Sequence, residues 1–406
     1  MVKLRMKELR PIHPFPARMA PSIVLNRLPS AKKRPLNVLD PMAGSGTTLV
    51  NARSKGHKAI GCDTDPLAVL ISRVWCADID PEKCTQAAKT VVISARERYR
   101  DISEAVAYPS NADDETRSFI RYWFDPIARK QLTALSEVIS KTSDSLVRDF
   151  LWCAFSRLII TKKMGASLAM DVSHSRPHKV YKRSPINALD KFEHMAEKIA
   201  RLCPFDGSEV APQPRIYKKD ARELPFDDGS IDVVITSPPY LNAIDYLRGH
   251  RMSLVWMGHK IGHLRDVRSS NVGAEVGLQG DLDTTVFSNV LNEMGASDKT
   301  PERIRRMLAR YVHDMDAVLS ETTRVLTGNG QAVFVVGNST IGGVYIMNSK
   351  AIAWLGRRHG LNLVSTRRRE LPNNRRYLPP PTSKGAGEQL GKRMREEVIL
   401  SFRKRA

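Results

Sequence analysis

The sequence predicts an α/β protein, a doubly wound and mostly parallel sheet that carries a helical insertion. Three observations predict it. Between residues 37 and 75, short apolar runs alternate with helical spacing, the rhythm of a parallel sheet with right-handed crossovers. The first run ends in Asp40-Pro-Met-Ala-Gly-Ser-Gly46, a tight glycine turn before a helix that starts near Thr47. A later run, Asp232-Val-Val-Ile-Thr-Ser-Pro-Pro-Tyr240, reads as a buried strand. Its β-branched residues stand together and then meet two prolines, which continue neither ladder nor helix.

The elements follow in order. Residues 1–35 form a basic, proline-punctuated lead-in. Residues 13–21 are too rich in proline for regular structure and are expected to lie as an arm beside the glycine turn, with Phe15 either flanking a ligand or plugging the core edge. From 81 to 202 helical periodicity dominates, over 84–106, 126–140, 145–163 and 187–202, with no strand signal. Trp123, Leu151, Trp152, Phe155, Leu158 and Ile159 can supply a small core there. Residues 81–205 are therefore read as an insertion between the second and third sheet strands, and 1–80 with 206–406 as the sheet domain.

The third strand is expected at 215–217, followed by Asp220, and the fourth at 232–235. A helix over 241–258 packs through Tyr246, Leu247, Leu254 and Trp256. Residues 259–300, rich in Gly, Ser and Asp, read as a mobile loop over the site. Helical spacing returns over 301–326 until Gly328-Asn-Gly330 ends it. Then come a strand at 331–337, a helix at 348–359, and strands at 361–367 and 398–402.

Composition narrows the function classes. The chain has 406 residues, long enough for two domains, and 42% of them are hydrophobic, which supports a sizeable core. A net charge of +21 points to a polyanionic partner, nucleic acid before membrane, although excess Lys and Arg also make a solubilising surface. No apolar run reaches the ~18 residues of a membrane span, and the basic N-terminus has no apolar stretch of a signal peptide. Five scattered cysteines without Cys-x-x-Cys spacing read as reduced packing residues of a cytoplasmic protein. His174 and His178 form a close pair in a polar setting but lack a further ligand nearby, so no metal is expected. Residues 367–406 hold 12 Lys/Arg against 4 Glu, a local net of +8.

Two stretches carry chemistry. A strand, a Gly44-x-Gly46 turn and a helix let backbone approach a nucleotide-like ligand closely, and the missing Lys rules out a phosphate P-loop. Asp63 lies 23 residues beyond Asp40, where an acid ending the second strand holds ribose hydroxyls. At the other stretch, a flipped base can place its exocyclic amine on the Ser237 side chain and the Pro238 carbonyl, with Tyr240 against its face. The plain alternative there is a strand ending in a proline turn.

Asp-Pro-Met-Ala-Gly-Ser-Gly-Thr-Thr48 followed by Thr-Ser-Pro-Pro-Tyr240 resembles the amino-group DNA methyltransferases, which methylate cytosine N4 or adenine N6 from S-adenosylmethionine. His13-Pro-Phe-Pro-Ala-Arg-Met-Ala-Pro21 is similar to that family's N-terminal cofactor motif. The resemblance spans roughly residues 11–80 and 214–403, and the stretch between is the chain's own. It implies a class I methyltransferase-like sheet with an antiparallel last strand and S-adenosylmethionine as cofactor. The cofactor residues it implies are Phe15, Asp40, Pro41, Ala43, Gly44, Gly46, Thr47, Asp63, Asp65 and Asp220, the last as acceptor from the adenine amine. Ser237, Pro238, Pro239 and Tyr240 become the catalytic set.

Serine before Pro-Pro-Tyr resembles the N4-cytosine enzymes, and its hydroxyl can also donate to cytosine N3. Adenine N6, RNA and protein glutamine remain alternative substrates, although the glutamine enzymes resemble Asn-Pro-Pro-Tyr and Thr236-Ser237 departs from that. From another class, the chain can be read as a catalytically inactive DNA-binding subunit. Double-stranded DNA is the expected partner, with a cognate restriction endonuclease or defence-system subunits beside it in a prokaryotic cytoplasm, at the nucleoid. DNA contacts are expected from Arg176, Lys182 and Arg183 in the polar segment 173–183, which otherwise reads as a solvated loop. Arg248 and the Arg375-Arg376-Tyr377 loop are the remaining candidates.

Overall fold

The structure, a computed structural model, describes residues 9–15, 18–31, 34–207, 211–241, 245–274, 284–296, 300–341, 344–371 and 396–405. A short helix α1 (Pro21–Leu25) precedes β1 (Asn37–Asp40), α2 (Thr47–Ser54), β2 (Lys58–Asp63) and α3 (Pro66–Cys76). Asp65 caps α3 by accepting from the Leu67 amide, and Pro66 fills its first position, where no amide is needed.

The insertion supplies α4 (Pro81–Asp101), α5 (Asp114–Trp123), α6 (Pro126–Ser140), α7 (Ser145–Ile159) and α8 (Ala188–Leu202). The sheet resumes with β3 (Arg215–Lys218) and β4 (Ile231–Thr236). Then follow α9 (Tyr246–Leu254), α10 (Ile261–Ser270), α11 (Thr284–Met294), α12 (Glu302–Val325), β5 (Leu326–Gly337), α13 (Asn348–Arg358), β6 (Leu361–Glu370) and β7 (Glu396–Lys404).

The seven strands lie in the order β6-β7-β5-β4-β1-β2-β3. Strands β3, β2, β1, β4 and β5 pair in parallel, and β7 is wedged antiparallel between β5 and β6. This is the class I methyltransferase order, with its antiparallel last strand. The direction of strand addition reverses between β1 and β4, and a sheet of this kind binds ligands in the crevice at such a point.

Side chains alternate across the sheet with a period of two. Val38, Val233 and Val335 face one buried cluster, and Leu39, Val234 and Phe334 the other. The second cluster is covered by α12 and α13. Every apolar residue expected to pack on α12 is buried: Ile304, Leu308, Val312, Met315, Val318 and Leu319. The first cluster runs without a break from the sheet into the insertion, through Trp75, Leu151, Phe155, Leu158 and Ile159. The core expected within the insertion is thus continuous with that of the sheet.

The insertion leaves and returns at one place. The Ile79 amide donates to the Phe205 carbonyl at 3.1 Å. Buried Arg53 pins both sides, with Nη2 2.5 Å from Asp78 and its guanidinium 4.2 Å over the Phe205 ring.

Some sequence expectations are corrected. The described part of 259–300 is not an irregular loop: α10 and α11 form there, because Ile261, Leu264, Val290, Leu291 and Met294 find buried partners despite their weak periodicity. Helix α9 begins at Tyr246, later than expected, capped by Asp245. Helix α5 is an addition to the expected elements. It is amphipathic, but its apolar residues are few and lie between charged ones. The insertion also holds a short antiparallel pair, Ala169–Met170 with His178–Lys179. Gly328-Asn329-Gly330 does not precede the fifth strand but lies within β5, as an irregularity opposite β4 with Asn329 at φ 63°. A second short pair, Ser339–Ile341 with Val344–Ile346, follows it.

Candidate functional site

A cleft of about 620 Å³ opens at the carboxyl ends of β1, β2 and β4. The turn after β1 forms its floor. Gly46 takes φ 91° as the N-cap of α2, a left-handed conformation that favours glycine. A Cβ there would lie 2.9 Å from the Ser72 Cβ, so this glycine serves the packing of α2 on α3. Gly46 does not line the cleft, which corrects its expected role, whereas Asp40, Pro41, Ala43, Gly44 and Thr47 do line it.

Asp63 ends β2 and closes the floor. Its Oδ2 accepts from the Gly44 amide at 2.8 Å and its Oδ1 from the Asp65 amide at 2.9 Å. Each oxygen keeps a further lone pair for a ligand hydroxyl. Burial, and next the neighbouring Asp65, pushes the Asp63 carboxyl up to about 7. Burial likewise pushes Asp40 up to about 6.

Asp65 borders the cleft, and its carboxylate also has partners within the protein. Oδ1 caps α3 and Oδ2 lies 2.5 Å from His250 Nδ1. Asp65 thus has structural duties as well as a place at the cleft. Asp220 also lines the cleft, but both of its oxygens accept from Arg222, at 3.1 and 2.6 Å.

Phe15 lies over the glycine turn, as expected of the N-terminal arm. Its ring is 3.5 Å from where a Gly44 Cβ would stand, and it packs on Tyr246 and His250 with centroids 5.5 and 5.1 Å away. His13 anchors the arm through a 3.0 Å hydrogen bond between its Nε2 and Ser156 Oγ of α7.

The opposite wall is Ser237, Pro238, Pro239 and Tyr240 at the end of β4. Ser237 Oγ donates to the Val335 carbonyl at 3.1 Å and lies 3.4 Å from the Tyr240 hydroxyl. Its one proton is used inside the protein, so the expected donation to cytosine N3 is not offered in this arrangement. The Tyr240 hydroxyl reaches Glu397 Oε1 at 3.2 Å. Sequence reasoning misses Glu397, because β7 comes 157 residues after Tyr240 and no motif marks it.

Residues after α10 cover the cleft. Asn271, Val272, Gly273 and Ala274 line it. They are held by Thr64 Oγ1 donating to Asn271 Oδ1 at 2.8 Å and by the Gly273 amide donating to buried Asp314 at 2.8 Å. The expected placement of this region over the site holds, although much of it is helical.

Arg176, Lys182 and Arg183 are exposed on the insertion. Their segment packs on α9, where Ser175 Oγ donates to the Tyr246 carbonyl at 3.2 Å, and Tyr246 lines the cleft. Arg248 pairs with Asp245 at 3.7 Å, and half-buried Arg251 stacks on Phe119 at 5.0 Å. Arg375 and Arg376 lie outside the described residues. Among the described residues no cluster of His, Cys, Asp and Glu is arranged to hold a metal, and no helix is long and apolar enough to cross a membrane.

No family model matches the chain. Type II methyltransferase M.MvaI of Kocuria varians is 26% identical over 419 residues, covering 96% of this chain and 90% of that protein. Such relatives support the reading of the chain as an amino-group DNA methyltransferase. Type II methyltransferase M.AvaI of Nostoc sp. is 24% identical, covering 89% of this methyltransferase and 78% of its own length. M.BsoBI of Geobacillus stearothermophilus is 25% identical over 59% of this chain and 50% of its own. Among solved structures, a SAM-dependent methyltransferase of Methanosarcina mazei aligns over 94% of this methyltransferase and 97% of itself, with 9% identity and a TM-score of 0.33. A TehB-like SAM-dependent methyltransferase of Corynebacterium glutamicum aligns over 95% and 87%, with 9% identity and a TM-score of 0.29. The fold of this methyltransferase rests on its own strand order and directions.

Proposed function

We propose that this S-adenosylmethionine-dependent DNA methyltransferase is site-specific for the exocyclic amine of a flipped base, cytosine N4. One observation carries the reading: Ser237-Pro-Pro-Tyr240 and the Asp40–Gly46 turn face each other across one cleft at the strand-order reversal.

The residues fit the cofactor. Asp63 offers free lone pairs where ribose hydroxyls need acceptors, Gly44 leaves backbone uncovered beneath Phe15, and the buried carboxyls of Asp40 and Asp63 suit a cationic ligand. In this reading Phe15, Asp40, Pro41, Ala43, Gly44, Thr47 and Asp63 hold it, with Asp220 at the edge. When bound, S-adenosylmethionine supplies an electrophilic methyl carbon.

The chain prepares the nitrogen. An exocyclic amine is a poor nucleophile because its lone pair is delocalised into the ring. Ser237 Oγ and the Pro238 carbonyl accept its two hydrogens, which favours tetrahedral character and frees that lone pair. Both are weak bases, so the amine stays neutral and its proton leaves after transfer. Tyr240 stacks against the base. The choice of cytosine rests on serine before Pro-Pro-Tyr. The insertion 81–205 serves as the target-recognition region, through Arg176, Lys182 and Arg183 beside α9. In a restriction-modification setting the partner is a cognate endonuclease.

Mass spectrometry of digested DNA from a methylation-free host expressing the chain tests this reading. N4-methylcytosine is expected, and finding N6-methyladenine alone overturns the choice of base. Ser237→Ala should lower the methylation rate about 10²–10³-fold, and a wild-type rate would remove Ser237 from the chemistry.

A further inference from the structure

Five groups from three strands and one turn meet behind the catalytic wall. Tyr240 Oη lies 3.2 Å from Glu397 Oε1 and 3.4 Å from Ser237 Oγ, which lies 3.1 Å from the Val335 carbonyl of β5. Glu397 is 6% exposed on β7, and its Oε2 accepts from Arg369 Nη1 of β6 at 2.6 Å.

Proton counting gives this set a direction. A carboxylate paired with a guanidinium only accepts, so the Tyr240 hydroxyl donates to Glu397 and turns lone pairs toward Ser237. The Val335 carbonyl also only accepts. The single Ser237 proton therefore goes to Val335 or to Tyr240, and in either case none is left for a ligand. Burial, and then the negative Glu397, keeps the Tyr240 hydroxyl protonated far above its ordinary range, so its donor role persists.

We propose that Glu397 is a positioning residue for base methylation, acting through Tyr240 to present Ser237 to the target amine as an acceptor only. The inference rests on the roles of Ser237 and Tyr240 given above. It assigns to the antiparallel strand β7 a part in the reaction that neither sequence stretch contains. It also means that the ring nitrogen beside the amine, an acceptor in cytosine and adenine alike, receives no proton from Ser237. Any donor that reads it stands elsewhere in the cleft.

The test uses the full chain, cognate DNA and single-turnover methylation, with cofactor affinity by calorimetry and thermal unfolding as controls. Glu397→Ala should slow methyl transfer about 10- to 100-fold while cofactor affinity stays unchanged. Glu397→Gln, whose amide oxygen still accepts from Tyr240, should keep most of the rate and covers the case in which Glu397→Ala does not fold. In a Tyr240→Phe background, removing the Glu397 side chain should cost nothing further. The 13Cζ resonance of Tyr240 should move in Glu397→Ala and hardly at all in Glu397→Gln.

A wild-type rate in folded Glu397→Ala overturns the inference, as does a Glu397→Gln variant no better than alanine. So do costs that multiply independently in the double variant, or an unmoved Tyr240 resonance. Failure of the underlying reading looks different: the unaltered protein would transfer no methyl group to DNA, or Ser237→Ala would match it.

Discussion

The Gly44 amide donates to Asp63 Oδ2 across 2.8 Å. That bond ties the turn after β1 to the end of β2, so the carboxylate is aimed before any ligand arrives. Asp63→Ala removes the acceptor and leaves the turn untethered. Hydrogen bonds to an ionised acceptor contribute roughly 1.5–3 kcal/mol each, so cofactor affinity should fall at least about tenfold. Calorimetry on the folded variant reads this directly, and an unchanged Kd would remove Asp63 from the cofactor site.

Cofactor affinity should depend on pH. Asp63 is raised to about 7 chiefly by burial, and ribose hydroxyls donate to its ionised form. Affinity of the free protein should therefore rise from about pH 6 to about pH 8 and level off above. Asp63→Asn should bind more weakly and with a flatter profile. Stability runs the other way. The folded state holds this proton more tightly than the unfolded chain, whose Asp titrates near about 3.9, so the contribution is complete below that value and is lost as pH rises to about 7. Asp40, raised to about 6, adds a loss of the same sign over a narrower window. Calorimetric titrations and denaturant midpoints across the range check both slopes.

Gly46→Ala should act on stability rather than on ligand contact. The residue sits at φ 91°, and its added Cβ would meet the Ser72 Cβ at 2.9 Å. Together these should cost about 2–4 kcal/mol. Chemical denaturation measures it, and a variant as stable as the parent would show that α2 and α3 can separate freely.

Replacing Arg176, Lys182 and Arg183 by alanine should weaken DNA binding without disturbing the fold, since all three are exposed. Where these side chains neutralise phosphates, the salt slope should fall by about one for each cation removed, and all sequences should weaken alike. A side chain that reads a guanine edge would instead cost ~1–3 kcal/mol at one position of the site. Unchanged affinity, slope and specificity would remove this segment from the interface.

Local rules made much of the molecule readable in advance. A run of consecutive β-branched residues and the proline stop marked β4, and helical spacing marked α6, α8, α12 and α13 to within a few residues. A glycine turn and an acid 23 residues on marked Asp40, Gly44 and Asp63. Such signals live within one strand, turn or helix, where residue type alone limits the backbone. The arm before β1 and the cover after α10 also fell where expected, at the turn and over the cleft.

Only tertiary structure decided which groups stay available. Gly46 looks like a ligand residue in sequence, yet it serves helix packing, and Asp65 at the cleft also holds His250 and caps a helix. Helices α10 and α11 form because distant surfaces bury their few apolar residues, which no local period announces. Glu397 meets Tyr240 because β7 inserts between β5 and β6, a pairing set by packing of the whole sheet. Residue types and spacing alone determined the individual strands, the glycine turn and the proline stop, since each depends on neighbours along the chain. The hydrogen-bond partner of each polar atom depends on neighbours across it, and folding alone assigned those.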